Sequence, residues 1–334
     1  MSKSLLALLV LASILLPKGC TNDRLGEGKL LVQHLKCEYL SEPKGVEHSQ
    51  PLLSWELDAP GKKDVLQSAY RILVYESNII PEKDKKPYWD SGKIKSGQSV
   101  NVAYAGKPLQ SAMKYYWKVQ LEDNSGAQSA FSKWASFETG ILHEQEWKAK
   151  WIHGPTADTS NCPFLRYEFD LEKAPLFAPG YVASVGYHEL YVNGKKVGDA
   201  VLTPSVSDLR NRALYNSYDL SGYLKKGKNS LVIWLASGWA DFSDGNPKVD
   251  FEVDIRPICI AQFKVGPEQW IFTDENWNYA SSNTYHLGRW KKSDFGGDLM
   301  DDSGRDIAWT PVSYTHLTLP TTCNLCRSRW SPYH

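Results

Sequence analysis

Tyr187-His188-Glu189-Leu190-Tyr191-Val192-Asn193-Gly194-Lys195-Lys196-Val197 is the stretch from which the fold is read. Its first six residues alternate with the period of two that belongs to a strand with one buried face. Asn-Gly follows, and then a second short run. A type I′ turn needs positive φ at both central residues, which makes Asn-Gly between two such runs the strongest local signal for a β-hairpin.

Moving outward from the hairpin, the chain keeps the same character. Ser230 to Leu235 is an apolar run of strand length, Val249 to Ile255 alternates again, and Cys259 to Val265 continues the strands. Toward the N-terminus, Tyr70, Ile72 and Val74 alternate with their neighbours. Tyr115, Trp117, Val119 and Leu121 fall on one strand face, with Tyr116, Lys118, Gln120 and Glu122 on the other. Asp123-Asn124-Ser125-Gly126 then supplies a turn. No sustained amphipathic helix breaks this pattern. The sequence predicts an all-β protein of two consecutive β-sandwiches. The first, residues 30–140, is immunoglobulin- or fibronectin-like, with about seven strands. The second, residues 146–311, is a jelly roll, and a linker from Ile141 to Glu146 joins them.

The ends of the chain read differently. Lys3 precedes the uncharged apolar run Leu5 to Leu16, which has the length of a signal-peptide core and is short for a membrane span. Gly19-Cys20 follows, the pattern of a bacterial lipoprotein cleavage site, although Pro17 and Lys18 depart from it. Residues 1–19 are therefore expected to be a signal peptide, Cys20 a lipidation site and 20–29 a tether. The expectation is an exported protein, periplasmic or held at the outer membrane of a Gram-negative cell by its lipid. The tail from Val312 to His334 reads like the translation of a sequencing adapter, which makes its Cys323-x-x-Cys326 pair an accident rather than a zinc or redox motif. Cys37, Cys162 and Cys259 read as small buried residues. The 38 basic and 38 acidic residues cancel, which argues against a nucleic-acid surface. Thirteen Trp and 18 Tyr suit aromatic platforms for sugar rings, and they suit sandwich cores equally well.

An ordered set of short motifs carries a family resemblance. In the second unit these are Leu165-Arg166-Tyr167-Glu168-Phe169, Gly186 through Asp199, Leu202-Thr203-Pro204, Tyr218-Asp219-Leu220, Leu224 through Asn229 and Gly238-Trp239. In the first they are Leu53-Ser54-Trp55, Gln67 through Ile72, Trp89-Asp90-Ser91-Gly92 and Phe137-Glu138-Thr139-Gly140. Together these resemble the N-terminal region of bacterial α-L-rhamnosidases, the inverting enzymes of glycoside hydrolase family 78. The resemblance implies a fibronectin-like domain followed by a jelly roll. It also implies that the two catalytic carboxyl groups, roughly 6.5–9.5 Å apart in an inverting enzyme, lie in a later (α/α)6 barrel. No stretch of this chain matches that barrel, so no catalytic residue is assigned. The implied partners are rhamnose-containing glycans and, in cis, a C-terminal catalytic domain.

The loop Gly238 to Asn246 is the candidate sugar-binding site. It combines the aromatic face of Trp239 with Asp241, Asp244 and Asn246, hard oxygen ligands of the kind calcium takes, and Asp241 and Asp244 are its candidate calcium ligands. The competing reading is a plain solvated loop, since Asp and Asn recur in loops for turn reasons alone. A second acidic stretch, Asp294 through Asp298 to Asp301-Asp302, resembles a glycine-rich acidic region of the family and reads more simply as a turn. No cofactor is otherwise implied. The alternative function is a surface carbohydrate-binding lipoprotein that stands alone and hydrolyses nothing.

Overall fold

Every second residue from Tyr115 to Asp123 is buried, as the alternation predicts. The computed structural model describes residues 29–82, 84–155, 162–207, 213–236, 257–282, 284–286, 298–300 and 308–315. The first unit contains β1 (Leu31–Cys37), β2 (Leu52–Asp58), β3 (Gln67–Glu76), β4 (Trp89–Asp90), β5 (Ile94–Lys95), β6 (Val102–Ala103), β7 (Lys114–Asp123) and β8 (Ala135–Glu138). They form two sheets, β1-β2-β6 and β4-β3-β7-β8, with β5 beside β3. Leu53 and Trp55 from one sheet meet Ile72, Val74, Tyr115, Trp117 and Phe137 from the other, and each is at most 1% exposed. Each such side chain contributes on the order of 1.5–3 kcal/mol by leaving water. The predicted turn closes this unit: Asp123 Oδ1 accepts the amides of Ser125 and Ala127, each at 2.9 Å, and Gly126 takes a positive φ.

The second unit contains β9 (Trp151–His153), β10 (Phe164–Leu171), β11 (Pro179–Val185), β12 (Tyr187–Val192), β13 (Lys195–Lys196), β14 (Tyr215–Asp219) and β15 (Gly227–Ala236). It continues through β16 (Ile258–Lys264), β17 (Trp270–Phe272), β18 (Asn278–Ala280), β19 (Thr284–His286), β20 (Asp298–Met300), β21 (Thr310–Pro311) and β22 (Ser313–Thr315). One sheet runs β13-β12-β15-β10-β18-β21 and the other β14-β11-β16-β9-β22, with β17 beside β16. Apart from the hairpin partners β13 and β17, each strand from β9 to β18 crosses to the sheet opposite its predecessor. Leu165, Leu190, Val192, Leu231 and Ile233 face Val182, Cys259, Ala261 and Phe263 across the core. The hairpin forms as expected: Asn193 and Gly194 have φ of 51° and 76°, and Val192 pairs with Lys195. Cys37, Cys162 and Cys259 are all buried.

Two features depart from a simple pair of beads on a linker. Ile141 is only 4% exposed, and Glu144–Glu146 forms a 3-10 turn that receives the Ser111 hydroxyl on the Glu146 carboxylate. The linker's first residue, Ile141, is thus packed into a third apolar cluster between the units, while His143 to Gln145 stay exposed. In addition, Val312 is buried and Ser313–Thr315 lies beside β9, so the tail is laid along an open sheet edge through Thr315. A short alternating segment satisfies an unpaired edge whatever its origin.

Asn229 ties the hairpin to the turn before β15 and uses its whole hydrogen-bonding capacity. Its Oδ1 accepts Lys225 N–H at 2.9 Å and Asn193 Nδ2 at 3.0 Å, while its Nδ2 donates to the carbonyls of Lys225 and Gly227, each at 2.7 Å. The side chain is 3% exposed. Asn229→Ala orphans these buried groups and is expected to lower stability by about 2–4 kcal/mol. In urea this reads as a lower midpoint with an unchanged slope.

Candidate functional site

The candidate loop residues Trp239, Asp241, Asp244 and Asn246 lie outside the described residues, as do Cys20 and the acidic residues Asp294, Asp301 and Asp302. Asp298 begins the short strand β20, which pairs with β19. The base of the loop is described. β15 ends at Ala236, paired with Tyr187, and β16 starts at Ile258, paired with Val185. Val185 and Tyr187 flank Gly186, whose φ of 92° lets the chain step from one sheet to the other. Residues 237–256, the expected strand Val249 to Ile255 among them, lie outside the described residues; the described chain breaks off at Ala236 and resumes at Pro257, at the end of the sandwich where β11 crosses into β12.

A buried polar tie underlies that end. His188 Nδ1 lies 2.8 Å from Ser184 Oγ and its Nε2 lies 2.9 Å from the Tyr218 hydroxyl. The ring, on β12, thereby joins β11 and β14 of the opposite sheet. The backbone holds it as well: His188 N–H donates to Thr203 O at 2.7 Å, and Thr203 Oγ1 donates back to His188 O at 3.1 Å. A serine beside a histidine invites a nucleophile reading. Burial decides against it, because Ser184 and His188 are 1% and 3% exposed and no substrate reaches them. Desolvation pushes the His188 pKa down to about 3, so the ring is a neutral cross-sheet clamp. Val201, Leu202 and Val206 stand exposed on the neighbouring loop, with Leu202 at a φ of 53°.

The described aromatics divide by role. Trp55, Trp117 and Trp277 are core residues, each at most 1% exposed. Trp134 and Phe131 flank Lys118 on the outer face of the first sandwich, at 4.3 and 4.9 Å from the ammonium. On the outer face of β12, β15 and β10, register places Glu189, Trp234 and Phe164 in one row and Tyr191, Val232 and Arg166 in the next. The Phe164 and Trp234 centroids are 5.3 Å apart, and Trp309 lies 3.9 Å from the Arg166 guanidinium. Half-buried rings beside Arg166 and Glu189 are suited to the apolar and hydroxyl sides of a sugar. The sequence hides this platform because its members come from separate strands and meet only through register. Among the described residues no group of three or more His, Cys, Asp or Glu side chains could hold a metal ion.

Family comparisons agree with this architecture. Residues 32–143 match the Rha78A-like N-terminal immunoglobulin domain, and residues 173–326 match the α-L-rhamnosidase N-terminal domain. The chain belongs to the α-L-rhamnosidase family. An α-L-rhamnosidase of Formosa agariphila is 32% identical over 306 residues, covering 82% of this chain and 31% of that protein. One of Streptomyces avermitilis is 27% identical, covering 80% and 26%. The solved α-L-rhamnosidase of Dictyoglumus thermophilum superposes with a TM-score of 0.68 at 29% identity, over 87% of this chain and 34% of that one. The Streptomyces avermitilis enzyme, solved with L-rhamnose, gives 0.70 at 20% identity, over 86% and 45%, and speaks for the fold alone. This chain thus spans about a third of the curated relatives it matches, and its second domain matches the α-L-rhamnosidase N-terminal domain.

The clamp gives a pH dependence. His188 has a folded pKa of about 3 against 6.5 for a free imidazole, so its stabilising contribution is complete above pH 6.5 and is lost as pH falls toward 3. The loss is expected to reach the order of 2–5 kcal/mol by pH 3. Urea midpoints from pH 7 to 4 should fall steeply for the natural chain and shallowly for His188→Gln. Parallel slopes for the two would exclude the clamp as the source.

Proposed function

We propose that this chain is the non-catalytic front of an exported rhamnosidase that cleaves terminal α-L-rhamnosides with inversion, and that it positions the glycan rather than breaking it. The observation that carries the reading is the order of two matched N-terminal domains, aligned with about a third of each relative. The acid and base belong, on this reading, to the two thirds of the relatives' length that the chain does not cover, and the carboxylate pair of an inverting enzyme with it. Export rests on the apolar run after Lys3, and lipid attachment on Cys20.

Within the chain, two features support a sugar-facing role. One is the outer face that carries Trp234 and Phe164 in one row and Arg166, beside Trp309, in the next. The other is the composition of the stretch Gly238 to Asn246, with Trp239, Asp241, Asp244 and Asn246, where Asp241 and Asp244 offer calcium its oxygens.

The chain as it stands is expected to release no aryl product from an aryl α-L-rhamnoside, and turnover would overturn the non-catalytic reading. Calorimetric titration with L-rhamnose, with and without calcium, is expected to give weak binding that Trp234→Ala diminishes. A calcium requirement abolished by Asp241→Asn with Asp244→Asn assigns the loop. Absence of binding in every arm leaves a purely supporting role and refutes glycan presentation. Sequencing the parent locus past Thr310 tests the rest: an (α/α)6 barrel in frame supports the reading, and a natural stop there sinks it.

A further inference from the structure

One buried carboxyl group takes no part in this function. Glu47 sits where the first sandwich meets β14 of the second. Both its carboxyl oxygens are closed off from solvent, and neither makes a well-formed hydrogen bond. From β14 it faces Tyr215, whose hydroxyl accepts Ile141 N–H at 3.3 Å and keeps its own proton free for the carboxyl group. From β11 it faces Tyr181, whose hydroxyl donates to Thr139 O at 3.0 Å. From its own sandwich, Glu138, paired with Lys114 at 3.0 Å, and Glu146, engaged by Ser111, act with Glu47 on the Tyr181 hydroxyl. Lys44 and Asp219 bear on the Glu138–Lys114 pair. The Lys114 ammonium is therefore already matched, and an ionised Glu47 would face the hydroxyls of Tyr181 and Tyr215.

The joint also lacks room to adapt. A Cβ on Gly140 would stand 2.3 Å from the Tyr215 hydroxyl and 3.2 Å from Glu47 Cγ, and one on Gly45 would stand 2.2 Å from Ser217 Oγ. Backbone thus presses directly on β14. Water cannot enter to solvate a carboxylate unless the two surfaces part.

We propose that a proton on Glu47 locks the two sandwiches into one body, and that its loss turns the joint into a hinge. Burial supports this by raising the Glu47 pKa to about 8, with the Tyr215 hydroxyl offsetting part of the rise. The sign follows: the proton's contribution to the closed joint is complete below pH 4.5 and is lost as pH rises through about 8.

The test uses the whole chain carrying one dye on each sandwich, with energy transfer followed from pH 5 to 9.5. Transfer in the natural chain is expected to fall with a midpoint near pH 8. Glu47→Gln keeps the shape without the charge, and should hold the closed value throughout. Its melting temperature should match the natural chain at pH 5 and exceed it by about 2–8 °C at pH 9. Gly140→Ala should read as open at every pH. If Glu47→Gln misfolds, Glu47→Met serves in its place. A natural chain that stays closed to pH 9.5, or a variant that opens with the same profile, overturns the proposal.

Discussion

Strand β11 has no exposed residue, and β16 has one half-exposed residue at its end. An ordinary sandwich strand buries one face and wets the other, so a sheet built around these two must be covered twice. Val182, Cys259, Ala261 and Phe263 are covered from within by the facing sheet. Tyr181, Ala183, Val185, Ile258 and Ile260 point the other way and form a separate cluster with Ala112, Ile141 and Trp151, packed by Trp147 and Ala149. The outer side of the second sandwich is thus the inner side of a contact with the first. Left bare, that row of apolar residues would be a large exposed patch of the kind that soluble proteins cover.

The joint is consequently part of the folding problem and not an addition to it. Its polar contacts are few and specific. Gln262 accepts Lys148 N–H at 3.2 Å and donates to Glu146 O at 3.3 Å, while Lys264 reaches Ala112 O at 3.4 Å. Lys264 is half-buried, and desolvation lowers its pKa. The two family domains, matched at 32–143 and 173–326, leave residues 144–172 between them. That interval holds Trp151, which belongs to β9 of the sheet, and Trp147 and Ala149, which pack on its outer cluster. It adds to a joint that Gly45, Thr139 and Gly140 of the first matched domain also make directly.

How much of this was legible in the sequence depended on the range of the interaction. The hairpin at Asn193-Gly194, the alternation of Tyr115 to Leu121 and the turn at Asp123 are local, and local chemistry decides them. The all-β character followed from the same signals, and the family resemblance from the order of many short motifs. Ile141 to Glu146 reads in sequence as a short linker, and only the contacts of Ile141 with Tyr215 and of Leu142 with Ser111 reveal that its start is packed. A clue existed in Ile258-Cys259-Ile260-Ala261, a run that does not alternate and so announces a strand covered on both faces. The His188 clamp and the Trp234 row were not legible, since each needs residues from different strands in one register. Of the site, the chain revealed the candidate loop by composition, and the structure added the position of its roots.

Strand β11 ties the joint to the end of the sandwich at which the described chain breaks off after Ala236. Tyr181 touches the joint through Thr139, and Val185, four residues along the same strand, pairs with Ile258, next to Pro257, where the described chain resumes. At about 3.3 Å per residue the two points are roughly 13 Å apart, along a strand hydrogen-bonded on both sides by β14 and β16. Such a strand moves as a bar and not as a string. The orientation of the first sandwich and the footing of the loop are then set by one element, with His188 fixing its far end to the opposite sheet. The glycan-positioning role proposed above would need this property, because a glycan presented on a swinging domain would spread over distances far larger than the few ångströms within which a glycosidic oxygen must meet its acid.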